Sequence, residues 1–259
     1  MSTRSTTVRH TSVPQAKRRG WRALRFVLTV ALVVEVGIAL WRSPALSVKE
    51  VYVDGIVLTA PEQVVQVARI DEGCSWTALV PSRIEQRLRR LPTVAEAVVS
   101  RGLMGRVHIR IFERQPVALL YTSTGSYWVD ARGVPFWKTK QAGGLPVVRV
   151  DTPLQVVLGE VVRNKSVQSA LEILTRYLPE YPLPIAKITV DREGNLCLNM
   201  REGLPPVRIG DGTALSEKMM RAAELWTHSQ IIQEAEYLDV SCVDRPVWKP
   251  RHRGKGGVL

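Results

Sequence analysis

The chain has 259 residues and a formal net charge of +12 at neutral pH, with 36 Lys and Arg against 24 Asp and Glu. Such an excess raises nucleic-acid binding, but its distribution argues against it. The leader 1–25 and the tail from Arg245 onward account for all of it, and the stretch between is electrically balanced. Three cysteines, Cys74, Cys197 and Cys242, are too few and too scattered for a disulfide framework or a metal site. They read as small core residues, with one bridge between two of them left open.

In chain order, residues 1–25 carry Arg4, Arg9, Lys17, Arg18, Arg19, Arg22 and Arg25 and no acidic residue. Phe26 to Trp41 is the one long apolar run, with Glu35 its only charge. We expect a transmembrane helix over 26–41 after a basic cytoplasmic tail over 1–25. Sixteen helical residues rise about 24 Å, against a hydrocarbon core of roughly 30 Å. The deficit closes if Arg25 and Arg42 snorkel and Trp21 and Trp41 sit in the two interfaces. Basic flanks stay in the cytoplasm, so the C-terminal region lies outside a bacterial cytoplasmic membrane. A cleavable signal peptide is the competing reading, with Ser43-Pro44-Ala45 near the cut. The long leader and the Trp41-Arg42 pair argue against it. Glu35 lies about 9 Å of helix rise from Trp41, within reach of the interface; otherwise it stays protonated or pairs with a partner helix.

After a break at Ser43-Pro44, Val48 to Gly55 reads as a strand closing in an Asp-Gly turn. Thr59-Ala60-Pro61-Glu62 and Ser82-Arg83-Ile84-Glu85 are two capping boxes, each opening a helix. Asp71-Glu72-Gly73 ends the first helix and Pro92 stops the second. Val94 to Ser100 and Val107 to Phe112 are strands, with a hairpin loop at Arg101 to Gly105. The order strand–helix–helix–strand–strand predicts a small α+β unit with helices on one face of a sheet.

Three elements carry a resemblance: Val51-Tyr52-Val53-Asp54-Gly55, the stretch from Leu91-Pro92 through Val94, Ala97 and Val99 to Arg101, and Phe112-Glu113-Arg114-x-Pro116-Val117-Ala118. With the element order, they resemble the FtsQ/DivIB family of bacterial cell-division proteins. The hairpin at 101–105 departs from the family by lacking its usual proline. The resemblance implies a POTRA unit over 46–114, then a β-rich domain with flanking helices over 115–244; the Gly/Arg-rich composition beyond reads as a disordered basic tail over 245–259.

The second unit continues in that manner. Tyr127 to Phe136 is strand, Asp-x-x-Gly turn and strand, and Gly143 to Val148 is the next landmark. Asn164 to Leu178 is an amphipathic helix with Val167, Ala170, Leu171, Leu174 and Leu178 on one face. Short strands follow at Ile185 to Val190, Leu196 to Met200 and Val207 to Gly210. Leu215 to Ile231 is a further helix, with Met219, Ala222, Ala223 and Trp226 on one side. Glu236 to Val243 reads as a last strand.

No constellation for catalysis stands out. His10, His108, His228 and His252 are scattered, there is no glycine-rich phosphate loop, and no carboxylate pair sits in an apolar setting. The expectation is therefore a non-enzymatic scaffold with no cofactor, metal or small-molecule substrate. The rival is a secreted or anchored enzyme acting on the cell wall after signal cleavage. The resemblance implies FtsB/FtsL-type division proteins as partners and a location at the division septum. It places one binding region in the POTRA unit, at Glu96, Val99 and Arg101. Alternation along the last strand puts Leu238, Val240 and Cys242 on one face and Tyr237, Asp239, Ser241 and Val243 on the other. A C-terminal strand is commonly a sheet edge to which a partner adds a strand. Tyr237, Asp239, Ser241, Cys242, Val243 and the nearby Trp248 are the second candidate region.

Overall fold

The computed structural model describes residues 16–41, 47–70, 74, 79–102, 105–201 and 203–251. The expectations for residues 1–15, the break at Ser43-Pro44, the turn Asp71 to Gly73, Leu103-Met104 in the hairpin loop and the tail beyond Arg251 lie outside them. Helix α1 runs over Ala16–Trp41. It begins ten residues before the expected span, because a basic leader rich in Ala and Arg has good helix propensity. Its described side chains from Leu24 to Ala39 are all exposed, Phe26 and Glu35 among them. The expected transmembrane span is not recovered: among the described residues no helix is long and apolar enough to cross a membrane.

The first folded unit is built from β1 (Glu50–Asp54), α2 (Pro61–Ala68), α3 (Pro81–Leu88), β2 (Val94–Arg101) and β3 (Arg106–Glu113). The sheet order is β1-β3-β2, with β1 parallel and β2 antiparallel to the central β3. Alternation along β3 sends Val107, Ile109 and Ile111 inward. They meet Val64, Ala68, Ile84 and Leu88 from the two helices. Burying each of these larger side chains contributes roughly 1.5–3 kcal/mol.

Neither capping box forms. Both helices begin at a proline, whose fixed φ suits the first helical position, and their cap residues are Ala60 and Val80, without a side-chain bond. Thr59 instead bonds Thr93 through its hydroxyl at 2.7 Å, and Glu85 accepts from the Val99 N–H at 2.9 Å. These side chains are recruited by the sheet rather than by their own helices.

The second unit is one nine-stranded sheet. Its strands are β4 (Ala118–Thr122), β5 (Gly125–Val129), β6 (Pro135–Lys138), β7 (Val147–Val150), β8 (Ile185–Val190), β9 (Leu196–Met200), β10 (Val207–Gly210), β11 (Ala235–Asp239) and β12 (Val247–Pro250). They lie in the order β12-β11-β10-β9-β8-β7-β4-β5-β6. The pairs β7·β8 and β10·β11 are parallel. Parallel neighbours need a crossover, and α4 (Lys165–Glu172) and α6 (Leu215–Trp226) supply it. Asn164 caps α4 by accepting from the Val167 N–H at 3.0 Å.

Three expected elements differ. The helix from Asn164 passes into a π-helical segment at Ile173–Tyr177 and a short α5 (Leu178–Glu180). The wider turn advances the buried stripe, so Ile173 and Tyr177 enter the core and Leu178 stays half-buried at its rim. The helix from Leu215 ends at Trp226, and α7 (Ser229–Glu234) follows separately. The last strand stops at Asp239, because that carboxylate turns back to accept the Ser241 N–H at 3.0 Å and hydroxyl at 2.6 Å. Cys242 is consequently exposed and shares no face with the buried Leu238 and Val240.

Candidate partner-binding edges

The expected edge strand is not the edge. Residues assigned to a disordered tail form β12, which pairs antiparallel with β11 through Asp239↔Val247, Leu238↔Trp248 and Tyr237↔Lys249. Arg251 pins its end, donating from Nε to the Ala235 carbonyl at 2.8 Å and from Nη2 to that of Gly203 at 2.9 Å. A basic tail thus becomes ordered because its guanidinium satisfies two carbonyls at the end of the sheet.

The polarity of the new edge follows from alternation. Leu238 and Val240 donate their N–H groups toward β10. Tyr237 and Asp239 therefore face β12, and so do their partners Lys249 and Val247 face β11. Trp248 then points its own N–H and carbonyl outward. Pro246 and Pro250 occupy the flanking outward positions and have no N–H to offer. The edge presents one donor, at Trp248, between two prolines. Such prolines blunt an edge against indiscriminate pairing.

The two aromatic candidates lie on opposite faces. Trp248 stands beside buried Leu238 on the helix side and is 37% exposed. Tyr237 is half-buried on the open face, with the Arg208 guanidinium 3.8 Å from its ring centre and Lys249 at 5.9 Å. Lys249 also pairs with Glu236 at 3.0 Å. Asp239 and Ser241 close the turn beyond β11, Cys242 is exposed and Val243 half-buried. Arg208 and Arg251 are contributors that the chain order hides. The even spacing of Pro246, Trp248 and Pro250 is the sequence signal that could have found the edge.

In the first unit the three candidates separate. Glu96 and Arg101 are exposed, whereas Val99 is 6% exposed and belongs to the core. The outward face of the same strand is carried by Val98, near His108, Arg110 and Phe112. His108 stacks on Tyr52 with centroids 5.1 Å apart.

The Glu-Arg-x-Pro element joins the two units. Glu113 accepts the N–H groups of Val57, Leu58 and Thr59 at 2.8–3.1 Å, tying down the loop before α2. Burial pushes its carboxyl up, but these donors and the Thr59 hydroxyl outweigh that and hold it below the ordinary range. Arg114 donates to the Pro92 carbonyl at 3.0 Å and to Asp130 of the second unit at 2.6 Å. Asp130 in turn accepts the N–H groups of Arg132 and Val134 in the Asp-x-x-Gly turn. Among the described residues no group of His, Cys, Asp or Glu could hold a metal ion.

Comparison with known proteins agrees with this architecture. Residues 46–114 match the family model for the FtsQ-type POTRA domain, and residues 118–241 match that for the C-terminal domain of the cell division protein FtsQ/DivIB. The cell division protein FtsQ of Mycobacterium tuberculosis is 28% identical over 232 residues, covering 89% of this chain and 70% of that protein. FtsQ of Mycolicibacterium smegmatis is 27% identical over 243 residues, covering 92% and 68%. FtsQ of an Anaeromyxobacter species is 28% identical over 216 residues, covering 80% and 72%.

Proposed function

The chain belongs to the FtsQ/DivIB family of bacterial cell-division proteins, and from that premise we propose that it is a non-enzymatic, membrane-tethered scaffold of the division machinery. In this reading α1 anchors it in the cytoplasmic membrane with the N-terminus inside, and the two folded units recruit extracytoplasmic partners of the FtsB/FtsL type at the septum. The exposed apolar side chains around α1, from Leu24 to Ile38, support the anchor. So does the 21-residue spacing from Trp21 to Trp41, which rises about 32 Å as a helix. A tether confines the binding surfaces to two dimensions and raises their effective concentration for partners in the same membrane.

The observation that carries the scaffold reading is β12. It ends a nine-stranded sheet, pairs on one side only, and presents an outward N–H and carbonyl at Trp248. A partner segment that adds a strand here exchanges two backbone bonds with Trp248. Its alternate side chains meet the indole on one face and Val247 and Lys249 on the other. Co-purification of the full chain with an FtsB/FtsL-type complex from membranes tests this. Trp248→Pro should abolish capture by removing the one edge donor, while Glu62→Gln, exposed in the first unit, captures as before. Undiminished capture by Trp248→Pro would remove the strand-addition mechanism. Depletion in the native cell should give filaments with unsplit septa, and normal division would overturn the division role.

A further inference from the structure

The helix face of the POTRA unit carries cations that neither the anchor nor the edge strand uses. Arg69, Arg87 and Arg90 line one cleft of about 640 Å³ between α2 and α3, with Gln63, Gln66, Val67 and Leu91. Among the described residues no carboxylate lines it. Arg87 bonds only a neutral group, the Arg83 carbonyl, at 3.3 Å. Ion pairs among the described residues engage Arg106, Arg114, Arg149, Arg176, Lys218, Arg221 and Lys249, and none engages the three cleft arginines.

Arg69 adds an independent observation. It closes α2 in the left-handed region, at φ 50°, where glycine is the inexpensive residue. A long side chain held there is an outlier that points to a use. Three guanidiniums and two amides lining one cleft fit an oxyanion with several acceptor oxygens, above all a phosphate, because each planar fork gives two parallel bonds.

We propose that this cleft binds the phosphodiester headgroups of anionic phospholipids in the membrane to which α1 tethers the chain. The proposal rests on the anchoring reading above. The tether is what favours a lipid over a soluble anion. Trp41 and Ser47 are six residues apart, a reach of at most ~22 Å. A unit of this size has a radius of gyration of about 11 Å, so that reach leaves it free to turn its helix layer onto the bilayer surface. In contact with that surface an arginine cluster works at high local headgroup concentration, and each cation within a Debye length of it adds to binding.

The test uses the full chain in nanodiscs of phosphatidylcholine alone or with phosphatidylglycerol. Phenylglyoxal modification of arginine is read by mass spectrometry at Arg69, Arg87 and Arg90, with exposed Arg163 of the second unit as the internal reference. Modification of the three should slow by about fivefold in the anionic discs, the occupancy one arginine–headgroup contact supplies. Arg163 should not change, and high salt should restore the rates. Arg87→Gln with Arg90→Gln should also release the protection of Arg69; protection that persists there overturns a shared site. A chain that fails to co-elute with the discs sinks the anchor and the cleft together. Co-elution with unchanged modification sinks the cleft proposal alone. Equal slowing by inorganic phosphate over neutral discs assigns the cleft to a soluble phosphate and overturns the lipid assignment.

Discussion

Arg114→Ala probes the joint between the two units. The side chain makes one bond to the Pro92 carbonyl at 3.0 Å and one to Asp130 at 2.6 Å. The side chains of the ion pair are only 12% and 10% exposed. Hydrogen bonds to charged groups contribute about 1.5–3 kcal/mol each, and removing one member of a buried pair costs about 3–5 kcal/mol because the other charge is stranded. The residual solvent access places the expectation at the low end, about 3 kcal/mol. Asp130 uses its other oxygen for the N–H groups of Arg132 and Val134, so Asp130→Asn keeps that turn. In an Arg114→Ala background it removes the stranded charge and should recover about half of the loss. Calorimetry of the full chain in detergent, as a double-mutant cycle, measures both effects. The wild type should unfold with its two units coupled, and Arg114→Ala should split off an earlier POTRA transition. A loss below about 0.5 kcal/mol, or strictly additive single and double mutants, would show that the pair does not hold the joint.

Glu113→Gln weakens the same region through the loop before α2. The folded-state carboxyl lies below its ordinary value of 4.5, so its stabilisation is complete above that pH and is lost as pH falls through the folded value. The substitution should flatten this acid limb in unfolding titrations, and an unchanged limb would assign it to other groups. Lys218 is 2% exposed and bonds Asp211, whose carboxyl the ammonium first, and then Thr213, hold at about 2 despite some desolvation. That contribution is present above pH 3.8 and fades toward pH 2. Asp211→Ala takes the carboxylate from the buried ammonium, leaving it the residue-211 carbonyl at 3.1 Å, and should cost about 2 kcal/mol by thermal unfolding, whereas Lys218→Met should be nearly neutral. Equal losses in the two variants would mean that the ion pair itself, rather than the stranded charge, carries the stability. Glu35→Leu should leave septal localisation intact if that carboxyl only reaches the interface, and mislocalisation would favour pairing with a partner helix.

What the sequence discloses here is periodicity, and what it conceals is who bonds whom across the chain. Strands at Ile185 to Val190 and Leu196 to Met200 are legible to the residue, because β-branched alternation is bounded by an unmistakable turn. The capping boxes are legible as local patterns and wrong as local bonds, since Thr59 and Glu85 have better partners 34 and 14 residues away. The π-helical segment leaves no local mark, because Ile173 and Tyr177 reach the core only through a shift that packing imposes. The C-terminal edge failed for a compositional reason. A basic, proline-bearing stretch reads as disorder, yet Pro246 and Pro250 fall at outward positions where a missing N–H costs nothing, and Arg251 finds two carbonyls. The same prolines that disguise the strand narrow what can add to it. Under the proposed strand addition, an edge with one donor rejects a long register-free strand, so selection of a partner there would rest on a single two-bond pair at Trp248 and on the side chains either side of it.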